Sequence, residues 1–209
     1  MDSIRPLPNP PAGARAKLLD AALGIIRTKG FSATSVDELC AAAGVTKGAF
    51  FHHFQSKEAL GVAAANHWSI TTSELFATAP YHAPADPLDR VLAYVDFRTA
   101  LLEGGVEEFT CLVGTMVQES YQTSDIIRAA CEASISGHAA TLEADISAAA
   151  VKYGIADQID PASLALHTQA VLQGAFILAK AKGGADIARD SAAHLKRYIM
   201  LLFNRGEAR

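Results

Sequence analysis

The stretch GFSATSVDELCAAAGVTKGAFFHHFQSKEAL, residues 30–60, decides how this chain folds. Gly30 closes a preceding segment, Ala14 to Thr28, in which Leu18, Ala22, Ile25 and Ile26 recur at helical spacing. Phe31 follows as a core plug. Ser35-Val36-Asp37-Glu38 is a Ser-x-x-Glu capping box, which predicts a short helix from Val36 to Ala43 with Val36, Leu39 and Cys40 inward. Gly44 breaks that helix and Val45 packs in the turn. Thr46 caps a third helix running through Phe54, and Ser56-Lys57-Glu58 opens a fourth. Two short helices joined by a tight Gly-containing turn make a helix-turn-helix. Its second helix must be slim or polar at its start to enter a major groove, while the first braces it across the backbone. Thr46, Lys47, Gly48 and Ala49 leave that start slim, and Phe50 and Phe54, one turn apart, can anchor it. The helix starts at Ser35 and Ser56 can offer backbone N–H groups to phosphate.

Working outward, the composition is helical. Of 209 residues 41 are alanine, the best helix former, and half are apolar. The eight prolines fall at 6, 8, 10 and 11, at 80, 84 and 87, and at 161, which leaves three long stretches free of helix breakers. Residues 1–12 read as a flexible arm and 79–87 as an interruption between helical blocks. Residues 1–60 carry seven basic and five acidic side chains, net +2. The remaining eleven basic and seventeen acidic give the rest net −6, so a weakly basic head sits on an acidic body. Three cysteines without a C-x-x-C pair argue against a disulfide framework or structural zinc. No apolar run approaches the roughly 18 residues needed to cross a bilayer, and the proline-rich start is not a secretory signal. A cytoplasmic protein is expected. No G-x-S-x-G, G-x-G-x-x-G, P-loop, H-E-x-x-H or Glu-x-x-His occurs, so no enzyme class, metal or cofactor is indicated.

Residues 30–60 resemble the DNA-binding head of TetR-type transcriptional repressors: a Gly-aromatic pair, a Thr-Ser-Val helix start, then A-x-x-A-G-V-[ST]-x-G-x-[LF]-[YF]-x-H-F and Ser-Lys-x-x-Leu. The resemblance implies an all-α protein with a three-helix head (13–56) and a helical ligand-binding and dimerisation bundle (57–209). It assigns Thr34 and Ser35 to phosphate, Thr46, Lys47, Gly48 and Ala49 to the groove, His52 to base edge or phosphate, and Lys57 to phosphate. Phe51 stands where many members carry Tyr; it cannot donate to phosphate and keeps only packing or a thymine methyl contact. The resemblance implies a homodimer on a near-palindromic operator, as a repressor released by a small effector.

Beyond residue 57 a long helix links head and body. Further helices are predicted over 88–102, over 107–121, over 124–153 as one continuous element, from Asp160-Pro161 to Lys182, and over 186–204. The last two carry apolar stripes wider than a core face, which suits a dimeric four-helix bundle, the alternative being closure of the monomer core. Bundle interiors are common ligand sites. The candidate lining is Trp68, Phe97, Cys111, Thr115, Met116, Gln118, Ser134 and His138. Cys111 lies in a stretch similar to the Gly-Cys-Leu-x-Gly…Gln-Glu of electrophile-sensing TetR relatives, with Thr110 in place of the first Gly, and Gly114 leaves room beside it. A reactive thiol there needs a neighbouring cation or helix N-terminus, and His138 is one candidate. An alternative function is a helical adaptor whose basic head binds an acidic protein.

Overall fold

A computed structural model describes residues 13–204; the expected arm, residues 1–12, lies outside the described residues, as do residues 205–209. The described residues form helices and turns with no strand, the all-α architecture expected. The head comprises α1 (Ala14–Lys29), α2 (Val36–Ala43) and α3 (Lys47–His53), and α4 (Lys57–Ala77) leads out of it. The body follows as α5 (Pro87–Ala100), α6 (Val106–Phe109), α7 (Leu112–Ser120), α8 (Asp125–Ala140), α9 (Glu143–Lys152), α10 (Pro161–Lys182) and α11 (Asp186–Leu202).

The local causes in the head are those read from the sequence. Ser35 accepts from the Glu38 N–H while the Glu38 carboxylate accepts the Ser35 N–H, closing the capping box. Gly44 turns at φ 63, where a side chain would be strained. Thr46 and Ser56 cap their helices through the N–H groups of Ala49 (3.1 Å) and Ala59 (3.0 Å). Each such cap contributes about 1 kcal/mol.

One apolar cluster runs from Leu18, Ile26, Leu39 and Phe50 through Leu60 into Leu112, Ile127 and Cys131 of α7 and α8. The head therefore shares its core with the body. Gly61 makes that approach possible: a Cβ there would meet the Phe31 ring at 2.8 Å and Ile127 at 3.2 Å. Met116, expected in a pocket wall, is fully buried in this same cluster. A second cluster joins α5, α9, α10 and α11 around Leu88, Tyr94, Ile146 and Ile199.

Two predicted helices are broken. The element expected over 107–121 divides at Thr110 and Cys111, both extended, and Cys111 becomes the N-cap of α7, its Sγ accepting the Gly114 N–H at 3.4 Å. The element expected over 124–153 divides at Thr141 and Leu142. There the Thr141 hydroxyl donates to the His138 carbonyl (2.7 Å), drawing off a helical acceptor, while Leu142 turns into the core.

Candidate DNA-contact face and effector cavities

Helix α3 is held by one face and open on the other. Phe50 is fully buried, and its ring packs against Phe54 (5.7 Å between centroids). The opposite side presents Thr46, Lys47, Gly48 and His52, all exposed, with Ala49 half-buried at the edge. Phe51 is 56% exposed and stacks only its edge on Phe50, at 5.1 Å. His53 is exposed as well, and its ring lies 4.9 Å from that of His52. Lys47 pairs with Asp37 of α2 at 2.7 Å, and that bond raises its pKa.

The expected phosphate contacts fare unequally. Ser35 is exposed, although the capping box occupies its N–H. Lys57 donates to the Ser32 carbonyl (3.1 Å) and lies over the Phe31 ring (4.6 Å); burial lowers its pKa. Thr34 is withdrawn from the contact set. It is 2% exposed, its hydroxyl donates to the Gly30 carbonyl (2.7 Å) and its N–H to Phe31 (3.2 Å), so neither donor faces solvent.

The body encloses a cavity of about 190 Å³ between α4, α5, α8 and α10. Trp68, Cys111, Ser134 and His138 line it as expected, with Phe76, Phe109 and Phe176. Phe97 does not: it packs behind Phe76, edge to face at 5.3 Å. Thr115 and Gln118 line a second cavity of about 210 Å³ with Glu119, Gln173 and Lys180. Cys111 borders both cavities. The room expected beside Gly114 is filled by the Gln173 side chain. Arg27 and Lys180, rather than His138, lie within electrostatic reach of Cys111. Lys180 donates to Thr115 Oγ1 at 2.7 Å, and burial lowers its pKa. The other thiols are core: burial pushes Cys131 up to about 12 and Cys40 upward. Among the described residues no His, Cys, Asp and Glu cluster could hold a metal ion.

Sequence reading misses the polar wall of the first cavity, because Tyr94, Arg98 and Gln169 belong to no motif or apolar period. In the structure Gln169 donates to the Tyr94 hydroxyl (2.9 Å), and that hydroxyl faces His138 Nε2 (2.9 Å). Also unforeseen are the ties from cavity to head. Arg27 of α1 donates to the Glu108 carbonyl (2.9 Å) and lies over Trp68 (5.3 Å), and both partners line the first cavity. Glu119, in the wall of the second, accepts the Ser32 N–H just ahead of α2 at 2.7 Å. The two hydrogen bonds each span more than eighty residues of sequence, so no local pattern announces them.

An exposed two-helix reader mounted on a helical body with internal cavities defines a class of bacterial regulators. Residues 18–64 match the family model for bacterial regulatory proteins of the tetR family. Residues 87–195 match the tetracyclin repressor-like C-terminal domain. The second match alone covers half of the chain, and this protein belongs to the TetR family. The transcriptional regulator AcuR of Cereibacter sphaeroides is 33% identical over 121 residues, 56% of this chain and 53% of AcuR, so the match spans about half of that relative's length. The HTH-type transcriptional repressor NemR of Escherichia coli is 27% identical over 193 residues, 88% of this chain and 93% of NemR. Among solved structures, regulatory protein TetR from Rhodobacter sphaeroides superposes with a TM-score of 0.78 at 26% identity, over 88% of this chain and 98% of that one. The adaptor reading is not favoured: its basic head is the part that the regulators' family model matches.

Proposed function

We propose that this chain is a dimeric, ligand-responsive transcriptional repressor acting in the cytoplasm, with residues 13–56 as its DNA reader and 57–209 as its sensor and dimerisation bundle. The open face of α3 carries the reading: Thr46, Lys47, Gly48, Phe51 and His52 stand clear of the core while Phe50 beneath them is sealed. Thr46, Lys47, Gly48 and Ala49 enter the major groove with Phe51 beside a thymine methyl, His52 meets base edge or phosphate, and Ser35 and Lys57 meet the backbone.

Dimerisation uses α10 and α11. Leu166, Ile177 and Leu178 of α10 and Tyr198 and Leu201 of α11 are each more than 40% exposed. Helix α10 is apolar enough, at mean hydropathy 1.3, to pass for a membrane span by length and composition. Pairing with a second copy covers its outer stripe without a membrane. The two readers then meet half-sites of a near-palindromic operator.

The effector occupies the first, aromatic-lined cavity, or an electrophile modifies Cys111 at its edge. In the second case Sγ bonds to the β-carbon of an activated alkene and the thiol proton passes to the α-carbon. Either event displaces Trp68, Glu108 or Glu119 and so loosens Arg27 and Ser32 of the head. The operator is released to the extent that the effector binds the loosened state better.

Fluorescence anisotropy with DNA from upstream of its own gene, against an unrelated duplex at two salt concentrations, tests the reading. Binding to the upstream DNA at least ~10³-fold tighter is expected. Equal affinity for both duplexes overturns a specific repressor, and no binding at low salt overturns DNA recognition. Thiol reagents added to the complex release DNA from the parent protein and not from Cys111→Ser if the thiol is the sensor.

A further inference from the structure

Arg98 stands in the wall of the first, aromatic-lined cavity as a cation without a counter-charge. Among the described residues no carboxylate lies within ion-pair distance of it. One terminal nitrogen donates to the Tyr94 hydroxyl (3.2 Å) and to His138 Nε2 (3.3 Å). The guanidinium lies against the rings of Phe76, Tyr94 and Phe176, at 5.4, 5.9 and 5.7 Å. All of these partners are neutral. His138 is held so first by burial and then by Arg98 itself, which push its pKa down to about 4. Tyr94 receives the Gln169 amide, so its own proton points to His138. Glu108, the carboxylate of the cavity rim, is turned instead to the Gly105 N–H at 2.6 Å.

A guanidinium stays charged at any physiological pH, and its planar fork of N–H donors matches a carboxylate in two parallel bonds. Arg98 Nε and its second terminal nitrogen donate to nothing among the described residues, so that fork is open. A half-buried cation among rings and neutral acceptors is stabilised most by an anion. Much of the remaining wall is apolar, with Trp68, Leu75, Leu101 and Phe109, and Thr72, Ser134 and Gln173 add neutral polar groups to it. The volume of about 190 Å³ compares with the roughly 150 Å³ of an engineered apolar cavity that accepts benzene.

We infer that this aromatic-lined cavity takes a small organic carboxylate with an apolar body of about one ring, its carboxylate paired with Arg98 and its body between the rings of Trp68, Phe109 and Phe176. This deepens the effector reading above. The binding step stands apart from it, because it can be measured without DNA.

Trp68 is the single tryptophan of the chain and lines the cavity, so its emission reports occupancy. The probes are phenylacetate, its neutral isostere phenylacetamide and the cation 2-phenylethylamine, each titrated while Trp68 fluorescence is followed. Phenylacetate is expected to bind at least about tenfold tighter than the amide, with the amine weakest. Arg98→Met should bring acid and amide to equal affinity while still binding the amide, and Arg98→Lys should recover part of the preference. An unchanged melting transition identifies the variants as folded. Equal affinity for acid and amide in the parent protein, an acid preference surviving Arg98→Met, or no response to any probe at millimolar concentration overturns the inference. Phenylacetate binding that leaves operator affinity unaltered supports the site and removes its effector role. Failure to bind any operator removes the repressor reading and leaves the Trp68 titration intact.

Discussion

On α3 the open face is slim and polar, with Thr46, Lys47, Gly48 and His52 around one aromatic, whereas on α10 and α11 it is broad and aliphatic, with Leu166, Ile177, Leu178 and Leu201. Both faces are exposed in a single chain, and each is suited to a different partner. A polyanion rewards donors and close backbone approach, and it is indifferent to apolar area. A second copy of the chain rewards apolar area and is indifferent to donors. The difference therefore separates two kinds of surface: a donor-bearing one on α3 and an aliphatic one on α10 and α11.

The largest expected effect comes from charging the aliphatic face. Leu178→Glu with Leu201→Glu should leave the monomer fold intact, since both side chains are exposed already. Sedimentation velocity should show the dimer replaced by monomer, and operator affinity should fall about 10³-fold because the two half-sites are no longer bound together. A dimer that survives both charges means that the stripe is not the interface, and the contrast between the two faces loses its meaning.

These two faces were unequally legible. The head is written locally: a capping box, a Gly at positive φ and caps at Thr46 and Ser56 each act within four residues, so sequence and structure agree there. The body is written in side-chain competition. Thr141 and Cys111 each break an apolar period by capping or drawing off backbone groups, and periodicity has no term for that. Half of the expected pocket lining, Trp68, Cys111, Ser134 and His138, faces the first, aromatic-lined cavity. Met116 and Phe97 share the same periodicity yet face neighbouring helices, and sequence spacing does not say which neighbour a side receives. Thr34 failed for a similar reason: its hydroxyl finds the Gly30 carbonyl four residues back before it can find a phosphate.

Between the two open faces lies a closed one, and its polar groups titrate against the fold rather than against a partner. His138 has a pKa of about 4 in the folded chain against an ordinary 6.5, so the unfolded chain takes up the proton first. The stability this contributes is complete above pH 6.5 and is lost as pH falls toward 4, a change of about 3 kcal/mol. Glu38, held at about 2 by its bond to Lys29 and then by Ser35, adds a loss only at lower pH. Chemical denaturation across pH 6.5 to 4 should therefore show a shallower slope in His138→Gln than in the parent protein. Equal slopes would place His138 in contact with water and open the cavity to solvent.

On the polar face, Lys47→Ala should weaken operator binding by about 1–2 kcal/mol. Its effect on the melting transition should be small, because the Lys47–Asp37 pair is exposed on both sides (60% and 69%) and such pairs contribute little. Asp37→Asn should act the other way, freeing Lys47 and removing a negative charge from beside the groove, so that affinity for every duplex rises. Lys47→Ala that destabilises the fold and spares DNA binding would turn the pair into a structural brace.

Phe51 is the smallest and sharpest case, because it is an apolar side chain on the polar face. By composition it belongs with Leu201, and by position with Lys47. Its ring touches Phe50 only edge-on, so Phe51→Ala should change stability by no more than about 0.5 kcal/mol and lower operator affinity by about 1 kcal/mol. Phe51→Tyr keeps the ring and adds the phosphate donor that this chain lacks. It should tighten binding to all duplexes alike and steepen the dependence on salt, because a phosphate contact carries no sequence information. If Tyr instead weakens the operator and spares the unrelated duplex, the ring edge reads a base in the groove, and position on the helix has outweighed composition.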